Sequence, residues 1–186
     1  MELWPELRFG LLNGWIVLAL LVLTDGLCFL IFPRDVVKRL FDRSGWSQKQ
    51  VTFTVLGKLC ALAGLILLII TPLKIGYPVF AIGATVTVLG LVGLATALVN
   101  FASTPFGQPV ERGIYRISRH PQIVMSSVVL LGGMIAIGSW PAVLAFAAAR
   151  ILSHLGIVAE EEVCLKQYGD AYRAYMLRVP RYFLFF

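Results

Sequence analysis

"PQIVMSSVVLLGGMIAIGSWPAVLAFAAARILSHLGIVA", Pro121–Ala159, holds a single formal charge, Arg150, and is interrupted once, at "GSWP", Gly138–Pro141. A glycine and a proline flanking two residues mark a tight turn. On either side lies an apolar run of about 20 residues. As helices at 1.5 Å per residue, each reaches roughly 27–30 Å, close to the thickness of a bilayer's hydrocarbon core. The stretch therefore predicts an antiparallel helical hairpin in lipid. The run from Pro121 to Gly138 is the shorter, so it would span with local thinning or by packing on neighbours.

Working outward, three further apolar runs precede the hairpin: Leu11–Phe32, Val51–Thr71 and Pro78–Phe101. Hydrophobic residues make up 59% of the 186 and charged residues 14%, where soluble domains run near 45–50% and about 25%. The mean hydropathy of +0.84 agrees. The predicted fold is all-α: a polytopic membrane protein with about five transmembrane helices, a C-terminal helical hairpin and a cytoplasmic C-terminal helix. The length suits one integral membrane domain, residues 1–186. Within it, 1–104 carry three N-terminal spans and 105–186 the chemistry.

Lysines and arginines set the orientation. With five spans, Arg34, Lys38, Arg39, Arg43, Lys49, Arg112, Arg116, Arg119, Lys166, Arg173, Arg178 and Arg181 share one side, and only Arg8 and Lys74 take the other. Positive residues favour the cytoplasm, so the chain is expected in the cell or inner membrane of a prokaryote, with its N-terminus outside and its C-terminus and active site in the cytoplasm. The net charge of +6 follows this pattern, which argues against a nucleic-acid partner. "PRDVVKRLFDR", Pro33–Arg43, places Val36, Val37, Leu40 and Phe41 on one face, as an interfacial amphipathic helix would. A basic connector is the plainer reading of it. The N-terminal "MELWPELRFG" has no basic n-region, so the first run is expected to remain as a span. Cys28, Cys60 and Cys164 form no CxxC pair, and neither a metal site nor a disulfide framework is expected. Gly10 and Gly14 have a helix-pairing spacing.

Charges inside apolar runs need partners. Asp25 and Lys58 lie at comparable depths in neighbouring runs, about 10 Å in, and are expected to form a structural ion pair. Arg150 and His154 are four apart, and Glu161 follows about three helical turns after Arg150, so the three share a stripe. The stripe converges with "GIYRISRHPQ", which contributes Tyr115, Arg119, His120, Pro121 and Gln122, and with a tail carrying Glu160, Tyr172 and Tyr175. Cations, carboxylates and aromatic faces beside lipid suit a charged cofactor such as S-adenosylmethionine and an amphiphilic acceptor. That chemistry alone does not single out the cofactor.

"GIYRISRHPQ", a hairpin, then "VAEEEVCLKQYGDAYRAYMLRVPR" resembles the isoprenylcysteine carboxyl methyltransferases and the related phospholipid methyltransferases, over about Pro105–Arg181. The family pattern is RHPxYxG, then EExxLxxxFGxxYxxY, then a basic proline-containing end. His120 and Pro121 match its RHP, Glu160 and Glu161 its paired glutamates, Tyr172 and Tyr175 its YxxY. The resemblance implies that these regions enclose S-adenosylmethionine, released as S-adenosylhomocysteine, with a tunnel admitting a lipophilic methyl acceptor from the bilayer. Tyr115, Arg119 and Gln122 then join the cofactor site, and Arg150 and His154 become candidates for catalysis, Arg150 by orienting an anionic acceptor. No obligate protein partner is implied. Ile123, Met125 and Cys164 depart from the family's tyrosine, glycine and leucine, which leaves the acceptor open. The alternative is a haem protein resembling zeta-carotene isomerase, with His120 and His154 as ligands. A non-catalytic scaffold would leave the polar stripe without a purpose.

Overall fold

The structure is a computed structural model and describes residues 1–41 and 48–183. The described residues contain seven α-helices: α1 (Trp15–Ile31), α2 (Arg34–Phe41), α3 (Gln48–Ile70), α4 (Pro78–Ala102), α5 (Pro121–Ala136), α6 (Trp140–Tyr168) and α7 (Asp170–Arg178). A 3₁₀ turn, Gly113–Arg116, precedes α5. No strand occurs among them, and the all-helical expectation holds. By length and composition, α4 and α6 can cross a membrane; α1, α5 and Val55–Ile70 of α3 are shorter apolar helices. α2 has the expected amphipathic character, with Val36 buried and Arg34, Asp35 and Lys38 exposed. Asp42 and Arg43, at the end of the predicted segment, lie outside the described residues.

Prolines start three helices: Pro78, Pro121 and Pro141 sit in the first turn of α4, α5 and α6. Proline's missing N–H costs nothing there, because first-turn amides have no helical acceptor. Ser139 caps α6, its hydroxyl accepting from the Ala142 amide at 3.3 Å. α6 runs nine residues beyond the apolar run and ends only at Gly169, whose φ of +55° suits glycine and turns the chain into α7.

The helices pack as two pairs. α4 lies along α5, and α3 lies along α6. Both seams are built from small residues seven apart. A Cβ at Gly90 of α4 would stand 2.7 Å from the backbone nitrogen of Val129, and one at Gly57 of α3 would stand 2.6 Å from Ser153 Oγ. Without side chains, the backbones approach closely enough for dispersion contacts and for Thr87 to donate to the Val129 carbonyl at 3.4 Å. The predicted turn joins α5 and α6, but each packs mainly on a different partner and the two touch only sparsely. Small-residue seams explain it: Gly132 of α5 faces α4, and Ala149 of α6 faces Gly57 of α3.

The turn end of the bundle is tied shut. Gly14 packs on Leu68 and Ile137, whereas Gly10 meets only Asn13. Asn13, 1% exposed, donates to the carbonyls of Arg8 and Ile69. Glu2 joins Lys74 at 2.8 Å and donates its amide to Gly138. The other end opens into a cavity. Asp25 and Lys58 both face it, and they form no ion pair with each other among the described residues. The expected pair is thus replaced by two separate charges lining one cavity, on helices α1 and α3 that touch only slightly.

Candidate active site

The site begins at the turn before α5. Gly113, with φ of +56°, leaves the place of its Cβ to the Asn100 side chain, whose Oδ1 accepts from the Ile114 amide at 3.1 Å. That contact seats the 3₁₀ turn against the end of α4 and buries Tyr115. Ser118 then bridges two segments: its hydroxyl accepts from the His120 amide and donates to the Arg181 carbonyl. The tail is thereby drawn back onto the helix mouth, where the Arg119 amide also donates to the Pro180 carbonyl at 3.0 Å.

Glu161 is the hub. Its side chain is 2% exposed and accepts from Arg119 Nε at 2.8 Å and from Arg181 Nη2 at 2.7 Å, with His120 Nε2 3.2 Å away. Arg119 Nη1 also donates to the Met176 and Val179 carbonyls. A buried carboxylate is tolerable only when its lone pairs are filled in this way. The hydrogen bonds to Glu161 hold the Arg181 guanidinium above its ordinary pKa. Tyr175 donates to the Tyr115 carbonyl at 2.7 Å, and burial pushes the hydroxyls of Tyr115, Tyr172 and Tyr175 above their usual value, so all three are neutral donors.

Beside this hub lies a cavity of about 560 Å³, within the usual range of ligand sites. One end is polar and aromatic, with His120, Gln122, Glu160, Tyr115, Tyr168 and Tyr172. The other runs between the helix pairs along Phe29, Leu94, Leu98, Ile123 and Ile157, with Asp25, Lys58 and Arg150 among them. Glu160 is half-exposed there, with His120 Nδ1 3.8 Å from its carboxylate. The amide nitrogen of Gln122 is buried without a hydrogen-bond partner.

Most predicted residues meet at this cavity: Tyr115, Arg119, His120, Gln122, Arg150, Glu160, Tyr172 and Tyr175 line it. Three do not. Pro121 starts α5, Glu161 is sealed beneath Arg119, and the imidazole Nδ1 of His154 bonds the Tyr182 hydroxyl at 2.8 Å. The stripe of Arg150, His154 and Glu161 survives in another sense. Glu161 holds Arg181 and His154 holds Tyr182, so the stripe reads two consecutive tail residues, while Arg150 donates to Ser127 Oγ at 3.1 Å. With His120 Nε2 facing Glu161 and His154 committed to Tyr182, no observation favours the haem reading. Arg181 and Arg39 escaped the sequence reading as site residues. The first had a signal in the basic, proline-containing end of the motif; the second had none beyond its place on the polar edge of α2.

A family model described as phospholipid methyltransferase matches residues 59–171. The chain belongs to that family. The match takes in the second half of α3, all of α4, α5 and α6 and the first residues of α7, so the likeness reaches well upstream of the motifs at the cavity. No curated protein matches. Membership makes this a membrane methyltransferase, in keeping with its two long apolar helices.

Proposed function

We infer that the polar end of the cavity binds S-adenosylmethionine and that the apolar end receives an amphiphilic methyl acceptor from the bilayer, of the isoprenylcysteine carboxylate or phospholipid amine type. The observation that carries this is the pairing, in one cavity, of unspent polar groups with apolar residues from the facing helices. The residues fit the cofactor. Glu160 offers a carboxylate free to accept from hydroxyls or an amine, and the Gln122 amide offers an unspent donor for a carboxylate or ring nitrogen. Tyrosine faces at Tyr115, Tyr168 and Tyr172 suit a sulfonium and an adenine ring. When bound, the cofactor supplies an activated methyl whose C–S bond breaks as the acceptor attacks, leaving S-adenosylhomocysteine.

The chain's own part is alignment and exclusion of water. Arg119 and Arg181, locked through Glu161, hold His120 with Nε2 inward and Nδ1 beside Glu160. Arg150, 3.1 Å from Ser127 and over the Phe146 ring, stands on the inner wall to orient or neutralise an anionic acceptor. In this reading α1, α3, α4, α5 and α6 all cross the membrane, the N-terminus is outside, and the cavity opens to the cytoplasm.

The test is thermal unfolding of detergent-purified protein with S-adenosylhomocysteine. Binding to the folded state at 100 times the dissociation constant adds about 2.7 kcal/mol. An upward shift absent with adenosine supports the cofactor; no shift at saturating ligand overturns it. Labelled methyl recovered in a lipid extract, rather than in water-soluble products, supports the acceptor class.

A further inference from the structure

Arg39 carries more interactions than any account of a basic interfacial helix requires. Its Nη2 donates to the Gln108 carbonyl at 2.9 Å and lies 3.4 Å from the Tyr168 hydroxyl, and its Nη1 reaches the Thr104 and Pro105 carbonyls at 3.4 and 3.5 Å. The guanidinium carbon stands 5.0 Å from the Phe101 ring centroid and 5.6 Å from that of Phe106. One side chain thus ties α2 to the end of α4, to the 104–108 loop and to the end of α6, and it faces the cavity.

α2 has little else to hold it. It lies along no other helix among the described residues. Val36 is buried and Phe41 meets Phe29 edge-on at 5.5 Å. α1, which leads into it, is fastened at the opposite end of the bundle, where Gly14 packs on Leu68 and Val17 on Gly133. Val17 is the one buried residue of α1. α1 also touches α4, but far less closely than the paired helices touch each other, and an element so sparsely packed has a low cost of local opening. Its other end, α2, forms a cavity wall through Arg39, Leu40 and Phe41.

We propose that α1 and α2 form a swinging cover for the cavity and that Arg39 is its latch, a positioning residue for methyl transfer. The proposal rests on the methyltransferase reading above. A charged cofactor must enter from water and then react away from it, so a cover has to open between turnovers and close during them. Arginine suits the latch: its planar fork serves several carbonyls at once while its faces stack on rings, and a lysine ammonium can do neither.

The test uses the full chain in detergent. Hydrogen exchange is read over residues 34–41, and S-adenosylhomocysteine dissociation by stopped flow. Arg39→Ala and Arg39→Lys are each expected to speed exchange in that segment about tenfold, leaving α4 and α5 protected. The same variants should speed ligand release by a similar factor and raise KM for the cofactor more than they lower kcat. Phe106→Ala, which removes a ring 59% exposed and so spares the fold, should shift both in the same direction by less. Unchanged exchange in the Arg39 variants overturns the latch. Faster exchange with unchanged release overturns the cover. A wild-type protein that binds no S-adenosylhomocysteine sinks the cofactor reading instead, and the exchange measurement still decides the latch.

Discussion

Arg119 and Glu161 are 42 positions apart, yet the guanidinium Nε meets the carboxylate at 2.8 Å with both side chains 2% exposed. A buried pair of this kind is a poor source of net stability but a severe liability once one partner is removed. Arg119→Met should therefore lower stability by about 3–5 kcal/mol, read as the ligand-free unfolding midpoint. A loss under about 1 kcal/mol would mean that water replaces the guanidinium and that the hub is not sealed.

Adjacent glutamates should fail differently. Glu160 is half-exposed on the cavity, so Glu160→Gln should leave the unfolding midpoint unchanged while abolishing the shift caused by S-adenosylhomocysteine. Glu161→Gln should lower the midpoint before any ligand is added, because two guanidinium groups lose their counter-charge. Equal midpoints with equal loss of binding would show that both carboxylates touch the cofactor.

Stability should fall at high pH. Tyr115, Tyr172 and Tyr175 are held above their ordinary value of 10.0 by burial first, and then by neighbouring charge from Glu160, Cys164 and Glu111 respectively. Below pH 10 both folded and unfolded chains keep these protons, and the contribution is fully present. Above pH 10 the unfolded chain ionises first, so stability declines as pH rises. Unfolding midpoints from pH 8 to 11 check this, and Tyr175→Phe should flatten the decline. A flat wild-type profile contradicts the burial of these hydroxyls.

The α4–α5 seam should not tolerate a methyl group. Gly90→Ala would place a carbon 2.8 Å from Val129 Cγ2 and should cost about 1–3 kcal/mol. Gly26→Ala is the control: a Cβ there meets nothing within 4 Å, so helix propensity alone acts and stability should rise by up to about 1 kcal/mol. Similar midpoints for the two variants would contradict close backbone contact at the seam.

Asp25 has no ion pair with Lys58 to lose. Asp25→Asn should leave the unfolding midpoint unchanged or slightly raised, since it removes an uncompensated charge from a half-buried site. A midpoint drop, reproduced by Lys58→Met and not additive with it, would restore the ion pair.

The helices and the motifs were legible in the sequence because their signals are local. Apolar runs, helix-starting prolines and the Gly138–Pro141 turn depend on neighbours a few residues away, and the observed helices begin and end close to those runs, except that α6 continues nine residues past its own. The residues of "RHPQ" and of the tail could be assembled because both flank one hairpin, and most of them do line one cavity. The partner of each helix was not legible. Gly57, Gly64, Gly83 and Gly90 carry a seven-residue spacing that marks a seam, but a glycine does not name the helix it will meet.

Sequence alone determined that this chain is helical, membrane-adapted and equipped with paired methyltransferase motifs, because composition and short-range spacing settle those properties before any long-range contact forms. Tertiary structure alone decided that α5 and α6 stand apart, that Glu161 is a sealed hub while Glu160 faces the cavity, and that Arg39 ties α2 across three elements. Each of those depends on which backbones can approach most closely, and that is settled by packing between segments far apart in the chain.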